Sequence, residues 1–176
     1  SGTRKLQERT TYYIFQEYAR SGLFERIYLV SNPQLESVLG DVPIIGYNDR
    51  LNQLIVSSFH MINIYSNNKP VIESSAKPRE HTRISTIGIS NLDNEKSMFF
   101  PLDNIKEVKY YYAINREKLE TDGTLMRRIT ENVKKEQDVD VSYGVYATEY
   151  ADDYVYFVAN SSMIQYREKE KKSLQT

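Results

Sequence analysis

The most compact group of side chains that could bind a ligand is a basic cluster at Arg79, His81 and Arg83. The segment around it, residues 76–82, is polar and interrupted by Pro78, which predicts an exposed loop. A guanidinium offers a planar fork of donors that matches a carboxylate or a phosphate, so the cluster predicts an anion site. The alternative is a solvated loop with ordinary surface charges.

A second group of candidates is the run Tyr110, Tyr111 and Tyr112, which lies in a predicted strand. Consecutive side chains of a strand point to opposite faces of the sheet, so one face of this run is core. The other face could form the floor of a pocket, an interface or ordinary sheet surface. Together the two groups predict a ligand-binding set of Arg79, His81, Arg83, Tyr110 and Tyr112.

The acidic residues and histidines predict neither a metal site nor catalysis. Asp152 and Asp153 are adjacent, which is typical of a turn. Asp138 and Asp140 lack the spacing and closing Glu of a calcium loop. The chain has two histidines and no cysteine, so a zinc site would need further ligands.

No motif of a known catalytic class is present. The sequence contains no HExxH, no GxSxG, no Walker loop and no GxGxxG, and its carboxylates form no distinctive pair. These absences predict a domain that is not an enzyme and needs no cofactor.

Composition limits the remaining function classes. A length of 176 residues suits one domain, and 23 basic against 24 acidic residues give a net charge of −1, so no nucleic-acid partner is expected. Fifteen Tyr and no Trp favour strand-rich structure. No run approaches the roughly 18 apolar residues of a membrane span, and both ends are polar, as in a domain cut from a longer protein.

Helical periodicity dominates the first third of the chain. Leu6, Tyr13, Ile14 and Tyr18 share one stripe over residues 4–20, which predicts a long amphipathic N-terminal helix. Further helices are predicted over residues 34–39, from Asn48 or Asp49 to Phe59, and over residues 125–133.

Residues 61–75, MINIYSNNKPVIESS, predict a hairpin that turns at Asn67 and Asn68. Asn tolerates positive φ better than other non-glycine residues, and apolar residues alternate on both sides of the pair. Later strands are predicted over residues 84–89, 105–114, 139–148 and 154–159, the last two joined by a second hairpin at Asp152 and Asp153. The predicted fold class is therefore α+β, with a long N-terminal helix and short helices packed on one antiparallel sheet.

This order of elements resembles the Cache branch of PAS-like extracytoplasmic sensors of bacterial membrane signalling proteins. Three runs carry the resemblance: SNPQLESVL after the first helix, YNDRLNQLIVSSFHMINIYSNNKPVIESS, and VKYYYAINREKLETDGTLMRRI. Two departures are that Asn68 stands where the family commonly has Gly, and that no RxWY-type amino-acid-binding motif occurs.

The resemblance implies a single sensor domain over residues 1–165 and a charged tail or connector over residues 166–176. It implies a non-catalytic domain of a membrane-anchored protein, outside the cytoplasm, that binds a small molecule or senses envelope state and passes the signal through its terminal helices. A homodimer through the N-terminal helix is the expected assembly. The alternatives are a VirB8/NTF2-like assembly domain of a conjugation or secretion apparatus and, ranked last, an intracellular adaptor with a PH-like sheet; a cytoplasmic location stays open.

Overall fold

The computed structural model describes residues 2–77, 82–93, 96–136 and 138–164 of the chain. The helices are α1 (Gly2–Ser21), α2 (Asn32–Leu39), α3 (Tyr47–Ser66), α4 (Arg116–Thr121) and α5 (Leu125–Lys134). The strands are β1 (Ile27–Tyr28), β2 (Ile72–Ser74), β3 (Ile84–Ser90), β4 (Ser97–Met98), β5 (Ile105–Asn115), β6 (Asp140–Thr148) and β7 (Tyr154–Ser161). None of the helices in these ranges is both long and apolar enough to cross a membrane.

The strands form one sheet in the order β1-β3-β7-β5-β6-β2, with β4 paired to β3. β1 runs parallel to β3, and β5 runs parallel to β6, whereas the other pairs are antiparallel. The predicted combination of helices with a single sheet is thus confirmed, but the prediction of an antiparallel sheet is wrong. The physical reason is that α4 and α5 form a crossover between β5 and β6, and such a crossover returns the chain in the same direction.

Helices cover both faces of the sheet, which gives three layers. On one face α2 and α3 pack on Ile87, Tyr111, Tyr146 and other residues of one core cluster. On the opposite face α5 places Leu125 and Ile129 against Tyr110, Tyr112 and their neighbours. Residues 110–114 of β5 are therefore buried on both sides, as expected for a central strand.

The predicted hairpin over residues 61–75 is wrong, because α3 continues to Ser66. Leu51, Ser58, Ile62 and Tyr65 are buried at helical spacing, so the apolar residues before the Asn pair belong to the buried face of a helix. β2 follows as a short strand, but its partner is β6.

The two asparagines end the helix instead of forming a hairpin turn. The Asn67 side chain donates to the carbonyl oxygen of Asn63 (2.8 Å), and the Asn68 side chain donates to that of Ile64 (2.7 Å). Both bonds add a side-chain donor to carbonyls of the last turn, which also accept from the backbone N–H of Asn67 (3.2 Å each). Asn67 has a φ of −103°, so the residue does not use the left-handed conformation that the prediction required.

The second predicted hairpin is also wrong, although both of its strands exist. β7 pairs with β3 and β5 and not with the preceding strand β6. Asp153 lies in the connection, where its carboxylate accepts from the backbone N–H of Asn115 (3.1 Å) and from Lys118 Nζ (2.7 Å). Those contacts hold the connection between β6 and β7 against the end of β5. After this connection the chain enters β7, which lies between β3 and β5 in the sheet.

Candidate functional site

A cleft of about 330 Å³ opens between the C-terminal half of α3 and the sheet. The sheet forms the floor of the cleft, and the strand register shows which residues lie side by side there. Asn160, Glu107 and Asp140 form one row across β7, β5 and β6, and Val158, Lys109 and Ser142 form the next row. The third row contains Tyr156 and Tyr111, which lie under α3. The helix thus covers the aromatic end of β5 and leaves the charged end open.

The walls of the cleft come from three separate segments. Ile62 and Ser66 of α3 form one side, Arg26 and Tyr28 beside β1 form another, and Ala76 and Lys77 after β2 complete it. Ser66 Oγ and the Tyr111 hydroxyl are 2.9 Å apart, which joins the helix to the sheet at the inner end. The Lys109 ammonium lies 5.2 Å from the centre of the Tyr111 ring, a cation–π geometry.

Asn160 organises the polar end of the cleft. Its side-chain oxygen accepts from Ser85 Oγ (2.6 Å) and from Arg26 Nη1 (3.1 Å), while its amide nitrogen donates to Glu107 Oε2 (3.3 Å). Thr82 Oγ1 donates to the same Glu107 oxygen at 2.6 Å. One amide therefore links residues of β3, β5 and β7 with the segment that leads into β1.

We expect Asn160→Ala to lower the free energy of unfolding by about 2–3 kcal/mol, because the buried Ser85 hydroxyl loses its acceptor and two charged groups lose a neutral partner. Chemical denaturation of the 176-residue chain measures this change. Asn52→Ala, at an exposed position of α3, is the matched control and should change stability by no more than about 0.5 kcal/mol. Equal effects of the two substitutions would show that the amide does not organise the cleft.

The charges of the cleft are mixed, since Arg26, Lys77 and Lys109 line it together with Glu107 and Asp140. Such a surface pairs with groups of either charge, and its lining within the described residues contains no serine–histidine or cysteine–histidine pair that could act as an activated nucleophile. Among the described residues, no group of three or more acidic or histidine side chains is arranged to hold a metal ion.

The structure separates the predicted ligand-binding residues. Arg79 and His81 lie outside the described residues. The Arg83 guanidinium lies against Gly22 at the end of α1, and it does not line the cleft. Tyr110 and Tyr112 are buried on the α5 face of the sheet, opposite the cleft. Their role in ligand binding stays a prediction, and Tyr111 is the member of the run that reaches the cleft.

Tyr110 belongs to a hydrogen-bonded triad with Lys96 and Glu136. Its hydroxyl donates to Glu136 Oε1 (2.7 Å) and accepts from Lys96 Nζ (2.6 Å), and Lys96 also pairs with Glu136. Burial raises the pKa of Tyr110, and its bond to Glu136 raises it further. Burial alone would raise the pKa of Glu136, but the bonds from Lys96 and Tyr110 outweigh it and hold this pKa below its usual value.

The sequence carried a usable signal for the cleft residues that were missed. Glu107, Lys109, Tyr111 and Ala113 occupy one face of β5, and this face changes from charged to apolar halfway along the strand. Such a change marks the place where a covering helix ends. Asn160 interrupts the apolar run of β7 in the same way.

Several solved structures have a similar arrangement of helices and strands. The FtsZ dimer of M. jannaschii matches with a TM-score of 0.57 at 11% identity, over 78% of this chain and 45% of that chain. The fold resembles about half of FtsZ. TubZ of Bacillus thuringiensis serovar israelensis, solved as a GTPγS-form protofilament, matches with a TM-score of 0.57 at 16% identity, over 91% of this chain and 50% of that chain.

CetZ from Methanosaeta thermophila strain DSM 6194 also has this FtsZ-like fold, with a TM-score of 0.53 at 14% identity over 86% of this chain and 48% of that chain. The chain therefore spans about half the length of the solved structures that it matches. No protein-family model and no curated protein sequence matches it.

The FtsZ-like fold corrects the resemblance to Cache and PAS sensors, because the matching structures are FtsZ, TubZ and CetZ. The prediction of a membrane-anchored sensor of a small molecule is wrong on the same finding, and so is the alternative of a secretion or conjugation scaffold. The three runs behind the resemblance correspond in the structure to α2, to α3 with β2, and to β5 with α4 and the start of α5.

The prediction of a non-enzymatic domain is also wrong. TubZ, with which the chain shares its fold, was solved as protofilaments in both a GTPγS form and a GDP form. The cellular compartment and the division at residues 165 and 166 stay predictions.

Proposed function

We propose that this chain is part of a protein that binds a guanine nucleotide and assembles into protofilaments, as TubZ does. The observation that carries the proposal is the FtsZ-like fold over 78% to 91% of the chain. Those neighbours are a dimer of FtsZ and protofilaments of TubZ in GTPγS and GDP forms. Protofilaments of TubZ exist in a triphosphate-analogue form and in a diphosphate form, which supports a proposal that links nucleotide state to assembly.

We also propose that the two halves of the FtsZ-like fold have different roles. Phosphate groups are commonly held by closely spaced glycines whose backbone N–H groups face the phosphate oxygens. Here the closest pair among the seven glycines is Gly40 and Gly46, so the sequence offers no such loop. We therefore assign the main phosphate contacts to the other half of the FtsZ-like fold, and assign subunit contacts and the support of α3 to this chain.

The test uses the full-length protein with GTP, GTPγS, GDP or ATP. We expect filaments that pellet at high speed and are visible by negative-stain electron microscopy with GTP or GTPγS, fewer with GDP, and none with ATP. Phosphate release from GTP should rise steeply above the protein concentration at which pelleting begins, because hydrolysis of GTP to GDP and phosphate would follow assembly. No pelleting with any nucleotide, or phosphate release that is strictly proportional to protein concentration, would contradict the proposal.

A further inference from the structure

α1 is held to the rest of the chain over a small area that includes a polar side chain. Its buried residues are Gln16 and Ala19, which are 8% and 2% exposed. Ala19 joins a small core cluster, and the ring of Tyr12 meets Phe100 of that cluster edge-on, with 5.7 Å between the ring centres. Because an amide is costly to bury without a partner, a buried glutamine at this position indicates a specific hydrogen bond.

That hydrogen bond joins residues 148 positions apart in the sequence. Gln16 Oε1 accepts from the backbone N–H of Ile164 at 2.9 Å, in a buried contact. The carbonyl oxygen of Ile164 accepts from the N–H of Asp103 at 3.3 Å, and its side chain packs in the same core cluster as Ala19. Ile164 therefore lies between α1 and the turn that precedes β5.

The segment 161–164 is fixed to the middle of the sheet. Ser161 is the last residue of β7, which pairs with β3 on one side and with β5 on the other. The hydroxyl of Ser161 donates to the carbonyl oxygen of Asp103 (2.7 Å) and accepts from the N–H of Met163 (3.2 Å). Through this segment Gln16 ties α1 to the end of the central strand.

We propose that Gln16 acts as a latch that couples α1 to the segment 161–164, so that the two are held or released together. Loss of the hydrogen bond leaves a buried acceptor on α1 and a buried N–H on Ile164 without partners, so each side is less stable in its position without the other. An event that draws the segment away from the turn before β5 therefore frees α1, and a displacement of α1 frees the segment. The proposal uses contacts within this chain and does not depend on nucleotide binding or assembly.

Amide hydrogen exchange of the 176-residue chain tests the latch from the side of α1. Gln16→Met keeps the length of the side chain and removes the strong acceptor, so we expect the amides of Ile164 and Asp103 to exchange on the order of 10-fold faster or more. Gln7→Met, at an exposed position of the same helix, is the matched control and should leave both amides unchanged. Unchanged exchange at Ile164 in the Gln16→Met variant overturns the proposal.

Ile164→Ala tests the latch from the other side, because thermodynamic coupling is reciprocal. We expect the amides of residues 14–19 to exchange on the order of 10-fold faster or more, since a helix that loses its tertiary contacts is only marginally stable in water. Ile129→Ala removes an equally buried isoleucine on the α5 face and should leave these amides protected. Equal effects of the two substitutions on α1 contradict the coupling. If either alanine variant is unfolded, Ile164→Val and Ile129→Val give the same comparison.

The double variant Gln16→Met with Ile164→Ala separates a latch from two independent contacts. In a latch the second substitution adds little, so the amides of residues 14–19 should exchange within about 2-fold of their rate in the faster single variant. Two independent contacts would multiply their effects instead. An acceleration in the double variant that equals the product of the two single accelerations overturns the proposal.

Discussion

Gly88→Ala is expected to destabilise the protein by about 3 kcal/mol or more, enough to leave much of it unfolded if its stability is ordinary. Gly88 lies in β3 opposite Phe157 of β7 and beside β4. A methyl group there would overlap the buried Phe157 ring and would lie 2.5 Å from the backbone oxygen of Ser97. The ring could move only by disturbing a close-packed core, and the backbone oxygen belongs to a paired strand. Moving either neighbour would therefore cost stability.

Thermal or urea unfolding of the 176-residue chain measures this effect. Gly123→Ala is the matched control, because a methyl group at Gly123 would meet no heavy atom within 4 Å. That control should be neutral or stabilise the protein by up to about 1 kcal/mol, since alanine restricts the unfolded chain. If Gly88→Ala unfolds like the control, the close approach of β3, β4 and β7 is wrong.

The second large effect is alkaline unfolding. Burial raises the pKa values of Tyr65, Tyr110, Tyr112, Tyr146 and Tyr156 above the ordinary tyrosine value. Above pH of about 10 the unfolded chain releases these phenolic protons while the folded protein keeps them, so stability is full below pH 10 and falls as pH rises. A tyrosine that stays protonated in the folded protein contributes a slope of up to about 1.4 kcal/mol per pH unit, and the largest contributions come from Tyr65, Tyr110 and Tyr112. Together these slopes should unfold the protein within a narrow pH range.

Tyr65→Phe separates this effect from the titration of lysines. Within the described part of the chain the Tyr65 hydroxyl is buried and has no hydrogen-bond partner, so its removal should cost little at pH 7 or even stabilise the protein. Above pH 10 the variant should lose stability less steeply, by about 1.4 kcal/mol per pH unit. Urea unfolding at pH 7, 9, 10 and 11 gives both values. An unchanged slope in the variant would show that Tyr65 ionises equally in the folded and unfolded states.

Local patterns in the sequence predicted most elements, because each depends on neighbours along the chain. The helix predicted over residues 4–20, the short helix over residues 34–39 and the alternation in β6 lead to the observed elements. The predicted apolar stripe of α1 (Leu6, Tyr13, Ile14 and Tyr18) is exposed, however, and the helix buries Gln16 and Ala19 instead. Residues 61–66 were misassigned because Ile62 and Ile64 fit a strand as well as a helix over so short a stretch. Only the buried positions upstream in α3 decide between the two.

Strand pairing could not be predicted in this way. The insertion of β7 between β3 and β5 depends on contacts between residues far apart in sequence, and the turn at Asp152 suggested a hairpin that local chemistry favours equally. The cleft shares this origin, because Arg26, Glu107 and Asn160 meet only through the sheet order. The FtsZ-like fold likewise follows from the arrangement of strands and not from any motif.

The position of β7 also determines when the protein can fold during synthesis. This strand contains the last residues of the sheet to leave the ribosome, yet it occupies the middle of the sheet. Until residues 154–161 emerge, β3 and β5 lack a common neighbour, and each nascent strand exposes an unpaired edge. The two halves of the sheet can therefore join only after residues 154–161 have been synthesised, and a ribosome that stalls before this point would hold an aggregation-prone chain in need of a chaperone.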